Sequence, residues 1–117
     1  MIYPTRESDE FHTDERCHII EIMNTAAVDN LSVARARVEP GIITALHTLE
    51  ADEYYYILEG AGEVEIDGSF KSEVAKGDLV RIRSGQTQRI RNTADSDLLF
   101  LCICTPRFRQ ESYTGLE

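Results

Sequence analysis

The feature that most constrains this chain is alternation with a period of two, met again and again between turn signals. "CHIIEIMN", "SVARARV", "EVEI", "LVRIR" and "QTQRIRN" each place apolar or small residues at every second position. Side chains alternate across a strand, so such segments predict half-buried β-strands rather than helices. The breaks are equally regular. Pro40-Gly41, Gly60-Ala61-Gly62, Asp67-Gly68 and Gly77-Asp78 punctuate the pattern, and Asp-Gly between alternating runs is a hairpin signal. "DLLFLCIC" is apolar at every position after its aspartate, as expected for a strand covered on both faces, and Thr105-Pro106 ends it. No segment carries a capped amphipathic stripe. Even "TLEADEYYYIL" is better read as an acidic turn followed by a β-forming tyrosine run. About nine short strands joined by tight turns imply an all-β antiparallel sandwich or barrel.

With 117 residues the chain is of single-domain size, and 42% hydrophobic residues suffice for one core. The strand pattern divides it into an N-terminal arm (1–16), a barrel (17–106) and a C-terminal tail (107–117). A net charge of −9 argues against a nucleic-acid partner, which demands a basic surface. It also argues against an anionic membrane. The polar, acidic start "MIYPTRESDEF" does not read as a secretory leader, which makes a cytoplasmic location the expectation. An odd set of three cysteines, Cys17, Cys102 and Cys104, is a poor disulfide framework. The last two point the same way along one strand and read as buried thiols.

Face assignment then isolates a few polar residues. Ala45, His47 and Leu49 share a face, as do Glu53, Tyr55 and Ile57. Gln88, Ile90 and Asn92 share one opposite Thr87, Arg89 and Arg91. If the arginines meet water, then His47, Glu53 and Gln88 stand on apolar inner faces. Burying such groups without partners costs about 1–3 kcal/mol each, so they call for mutual hydrogen bonds, a metal or a ligand. Tyr55 is expected beside Glu53, and Tyr54 and Tyr56 outside. Arg35 and Arg37 read as an ion-paired surface pair, and His12 and His18 as surface histidines.

Two stretches carry a family resemblance. In the first, Gly41 is followed by five residues, His47-Thr48-Leu49, three residues, Glu53, six residues and Gly60. In the second, Gly77 is followed by five residues, Arg83-Ser84-Gly85, two residues, Gln88, three residues and Asn92. They resemble the two motifs of the cupins, in order and with a short hairpin between, and the likeness runs from about Cys17 to Pro106. The resemblance, to small single-domain cupins of the conserved-barrel type, implies a double-stranded β-helix, that is, a jelly-roll barrel with a central pocket. In metal-binding members the first motif supplies two histidines and a glutamate, and the second a histidine. Here Leu49 stands in place of one histidine, Gln88 in place of another, and Arg83 in place of a proline.

What the resemblance implies for the site is therefore divided. His47, Glu53 and Gln88 are the candidate metal ligands, for a weakly bound Mn, Fe, Ni or Zn, although Leu49 puts an alkyl group against any ion. The metal-free alternative has these three hydrogen-bonding one another. The candidate ligand-binding set is His47, Leu49, Glu53, Tyr55, Gln88 and Ile90. Two functions follow: a small-molecule-binding barrel, or an enzyme in which Glu53 and His47 are the catalytic acid–base pair. Isomerase, lyase or dioxygenase chemistry on a small organic acid, sugar or phenol is what the likeness permits. A homodimer through the apolar Leu98–Cys104 strand and the outward tyrosines is the expected assembly.

Overall fold

A computed structural model describes residues 1–117. Eleven strands make two antiparallel sheets: β1 (Phe11–His12), β2 (His18–Met23), β3 (Ser32–Val38), β4 (His47–Leu49), β5 (Asp52–Glu59), β6 (Ala61–Ile66), β7 (Phe70–Ala75), β8 (Leu79–Ile82), β9 (Thr87–Asn92), β10 (Leu98–Thr105) and β11 (Tyr113–Gly115). One sheet has the order β1-β2-β3-β10-β5-β8, the other β11-β4-β9-β6-β7. From β3 to β11 successive strands alternate between the sheets except for the β6–β7 hairpin, so the chain winds as a double-stranded β-helix. The only helical pieces are two 3₁₀ turns, Glu7–Asp9 and Gln110–Ser112.

The turn chemistry acts where the sequence placed it. Asp67 and Gly68 both have positive φ, 56° and 68°, as a tight hairpin turn favours, and Ile66 of β6 pairs with Phe70 of β7 across the loop they begin. Gly60 has φ of 89°, and a Cβ there would stand 2.9 Å from the Asp97 carbonyl oxygen. That position serves both a backbone conformation and a close approach to β10.

Alternation buries one face of the central strands, as in β6 and β9. Val38, Ile57, Ile82, Ile90 and Leu98 are essentially inaccessible and form one cluster with Val64, Tyr55 and Phe100 between the sheets. Each such aliphatic side chain contributes about 1.5–3 kcal/mol by leaving water. A smaller cluster holds Leu49, Ala51 and Cys104, with Phe108 and Tyr113 packed against it. The outer faces carry charge pairs. Arg89 meets Glu65 and Arg91 meets Glu63 across β6 and β9.

Both ends of the chain join the sheets. β1 pairs with β2, and β11 pairs with β4, bringing Gly115 opposite His47. The arm is tied by Glu10, which accepts from Arg37 at 2.6 Å, while Arg35 reaches Glu7 at 2.8 Å. The Arg37 guanidinium beside Glu10 holds that carboxyl below its ordinary value. At the other end, the Glu117 side chain pairs with Arg16 at 2.9 Å and accepts from the Leu46 amide at 2.8 Å. Segments read from sequence as arm and tail thus each supply an edge strand.

Candidate functional site

A cavity of about 330 Å³ opens between the sheets, lined by 23 residues that include His47, Leu49, Glu53 and Tyr55. Its floor is set by register. β4 places His47 opposite Gln88 on β9, and β5 carries Glu53 and Tyr55 on the same inward face, opposite Cys104 and Cys102 of β10. Exposed Phe11, Asp14 and Gln110 on the lining mark the mouth. The mouth is therefore built from the two chain ends.

The polar groups on the wall do not bond one another as a metal-free triad would. His47 Nδ1 donates to the Ala45 carbonyl at 2.9 Å. A carbonyl oxygen can only accept, so Nδ1 carries the proton. Glu15 Oε2 lies 3.3 Å from the same nitrogen, and the Tyr113 ring stacks on the imidazole at 4.8 Å between centroids. Gln88 accepts the Tyr55 hydroxyl through its side-chain oxygen. Glu53 is 7% exposed, and its Oε1 has no hydrogen-bond partner. The expected mutual hydrogen bonding of His47, Glu53 and Gln88 is met only in part: the Ala45 carbonyl and Glu15 take His47, the Tyr55 hydroxyl takes the Gln88 oxygen, the Gln88 amide neighbours Glu53, and Glu53 Oε1 has no donor.

Two members of the sequence-derived ligand set stand elsewhere. Ile90 belongs to the main core cluster, off the cavity wall, because β9 turns it into the closed half of the barrel. Gln88 lies behind the wall, 1% exposed, and acts on the cavity through Tyr55 and Glu53. Several lining residues lie outside the two motifs: Glu15 and Cys17 before them, Phe108 and Tyr113 after them. Their positions depend on the edge strands formed by the chain ends, a long-range pairing that no local pattern announces.

Electrostatics follow from burial. Loss of solvent pushes the Glu53 carboxyl up to about 7; the neighbouring Gln88 amide opposes this, and the Glu15 charge adds to it. Glu15 is raised by burial too, with His47 opposing. Burial raises the Cys17 thiol to about 11, and raises Cys102 and Cys104 as well. These thiols stay protonated at neutral pH and serve as soft, uncharged wall.

The metal expectation can be tested on the donors. The Gln88 oxygen already accepts from Tyr55. Leu49 is 3% exposed and packs with Phe108 and Tyr113, so it anchors the C-terminal segment where a ligand would stand. Only His47 and Glu53 remain of the four positions, and no three His, Cys, Asp or Glu side chains gather as a metal site. The residues present do not fit a resident ion held by four protein ligands.

A two-sheet barrel with this pocket defines a β-helix protein of the cupin class. The cupin domain family matches residues 34–104, more than half of the chain, and the chain belongs to that family. An uncharacterized protein of Methanocaldococcus jannaschii is 38% identical over 87 residues, covering 74% of this chain and 69% of that protein. The oxalate-binding protein of Thermotoga maritima is 37% identical over 71 residues, covering 60% of this chain and 58% of its own length. Among solved structures, a predicted oxalate decarboxylase from Thermotoga maritima superposes with a TM-score of 0.81 at 24% identity, covering 91% of this chain and 99% of that one. At that identity the superposition speaks for the fold alone.

Proposed function

We propose that this chain is a small-molecule-binding cupin whose ligand enters the 330 Å³ cavity and bonds to Glu53. The observation that carries the reading is the orphaned Glu53 Oε1, buried on the cavity wall. A buried acceptor without a donor costs about 1–3 kcal/mol. That cost is recovered when a ligand supplies the donor. The Tyr55–Gln88 bond and the stacking of Tyr113 on His47 fix the surrounding wall, so the site is preorganised. Isothermal titration of a metabolite panel, run on the wild type and on Glu53→Gln, tests this. At least one small organic ligand should bind the wild type and bind the variant more weakly. A panel with no binder overturns it.

A second reading, an acid–base enzyme, is supported by one specific feature. A carboxyl held near neutrality on the same cavity wall as an imidazole is suited to proton transfer. In that case Glu53 would move the proton, and His47, oriented by Ala45 and Glu15, would assist. Glu53→Gln would then abolish turnover of a ligand that the wild type converts. Unchanged turnover in that variant removes the enzyme reading and leaves the binding one.

A further inference from the structure

Charge on the cavity wall narrows the ligand further. Four carboxylates line it, from Asp14, Glu15, Glu21 and Glu53, and no lysine or arginine does. Five arginines are engaged with other acids instead: Arg16 with Glu117, Arg35 and Arg37 with Glu10, and Arg107 and Arg109 with Asp29. The one basic ring, His47, has its Nδ1 proton given to Ala45 and Glu15 beside it. An anion entering here would meet like charge in a partly desolvated space with no guanidinium or ammonium to receive it, an arrangement that rejects it.

The same wall offers what a cation needs. Five aromatic rings stand on it, those of Phe11, Tyr55, Phe100, Phe108 and Tyr113, and Tyr55 and Phe100 lie 4.7 Å apart with tilted planes. Ring faces attract a desolvated ammonium, and a buried carboxylate forms short, charge-assisted bonds with its N–H groups. Glu53 adds the independent sign: a carboxyl more than nine-tenths buried, on this wall, with an oxygen that lacks a donor.

We infer that the cavity selects a small organic cation, a primary ammonium on an apolar or aromatic body. Its N–H donors go to Glu53 Oε1, with Glu15 adding charge, and its body lies among the rings. This rests on the ligand-binding reading above and sets it apart from the oxalate named for one relative.

The test uses three probes of one shape and different charge, 2-phenylethylamine, 2-phenylethanol and 3-phenylpropionate, titrated calorimetrically into the full chain at pH 8. The amine should bind roughly tenfold to a hundredfold tighter than the alcohol, the span of one charge-assisted hydrogen bond, and the carboxylate should give no heat. Glu53→Gln should remove most of the amine's advantage over the alcohol, weakening the amine by far more than it weakens the alcohol, which carries no charge to lose a partner. Near-ultraviolet circular dichroism checks that the variant keeps its packing, and Glu15→Gln should weaken the amine in the same direction by less. Equal binding of amine and alcohol, or preferential binding of the carboxylate, overturns the cation assignment while the binding cavity stands. Failure of all three probes overturns the cation assignment, whereas the binding function itself falls only if the wider metabolite panel is also without a binder.

Discussion

Replacing Glu53 by glutamine keeps shape and hydrogen-bonding capacity while removing the charge, so it isolates the cost of ionising a buried carboxyl. The folded protein holds this group near 7 against an ordinary value of 4.5, with burial as the main cause. A raised carboxyl pKa means that the folded state prefers the proton. The stability this gives is fully present below about pH 4.5 and is lost as pH rises through about 7. A difference of about two and a half units is worth about 3 kcal/mol. Wild type and variant should therefore be equally stable near pH 4.5, apart from a constant offset for exchanging an acid for an amide. By pH 8 the variant should lead by a further ~3 kcal/mol, or roughly 10 °C in melting temperature for a chain of this size. Urea unfolding followed by circular dichroism at several pH values, with equal m-values in both proteins, measures it. Every other acid titrates in both proteins, so only the difference between the curves counts. Parallel curves from pH 4.5 to 8 would refute the claim that Glu53 is ionised at a desolvation cost, and with it the account of why the orphaned oxygen matters.

Other parts of the structure make separate predictions. Tyr55→Phe removes the donor to buried Gln88 and should cost about 1–3 kcal/mol in urea unfolding; no loss would mean that the bond contributes nothing. Gly60→Ala sets a Cβ 2.9 Å from a carbonyl oxygen at φ of 89°, whereas Gly77→Ala meets open space at φ of 92°. The first should destabilise by about 2 kcal/mol or more, the second by about 1, and equal losses would refute the close-approach argument. Restoring histidine with Leu49→His and Gln88→His together should raise cobalt affinity, read by visible absorption, well above the wild type; equal affinity would show that those two positions are not what denies the site an ion. A homodimer through the face shared by Leu101 and Tyr56, which are cross-strand neighbours, should scatter light as twice the 13.3 kDa chain, and Leu101→Glu should return it to one; a monomeric wild type refutes the assembly.

The alternating runs and turn glycines were enough to give the strands and an all-β sandwich or barrel, and the motif resemblance added the family. Short-range chemistry sets those features, and register then follows from which face is apolar. They also identified the inward faces of β4, β5 and β9, which is why His47, Leu49, Glu53, Tyr55 and Gln88 are all found buried. The partners of these residues were not legible. Period-two logic says that His47 and Gln88 point inward, but it does not say that the Tyr55 hydroxyl reaches Gln88 first or that the Ala45 carbonyl claims the imidazole. Nor does it reveal that the "IITALHTL" stretch is largely irregular before His47, held by the Thr44 hydroxyl accepting from the Ile90 amide at 3.0 Å.

The same limit explains why the two chain ends matter more than their composition suggests. The arm 1–16 and the tail 107–117 read from sequence as segments outside the barrel, yet β1 and β11 close onto the sheets, Glu15 lies 3.3 Å from His47 Nδ1, and the Tyr113 ring stacks on that imidazole. Leu49 ties these facts together. In the resemblance it is a lost metal ligand. In the fold it is the residue on which Phe108 and Tyr113 pack. Exchanging an imidazole for an isobutyl group there removes a donor and supplies apolar surface for the segment that closes the pocket. With the cation-binding donors reduced and the carboxylates kept, the wall becomes acidic and aromatic. A wall that offers an ion few nitrogen donors but keeps its carboxylates is suited to the positive charge that the proposed ligand would itself carry.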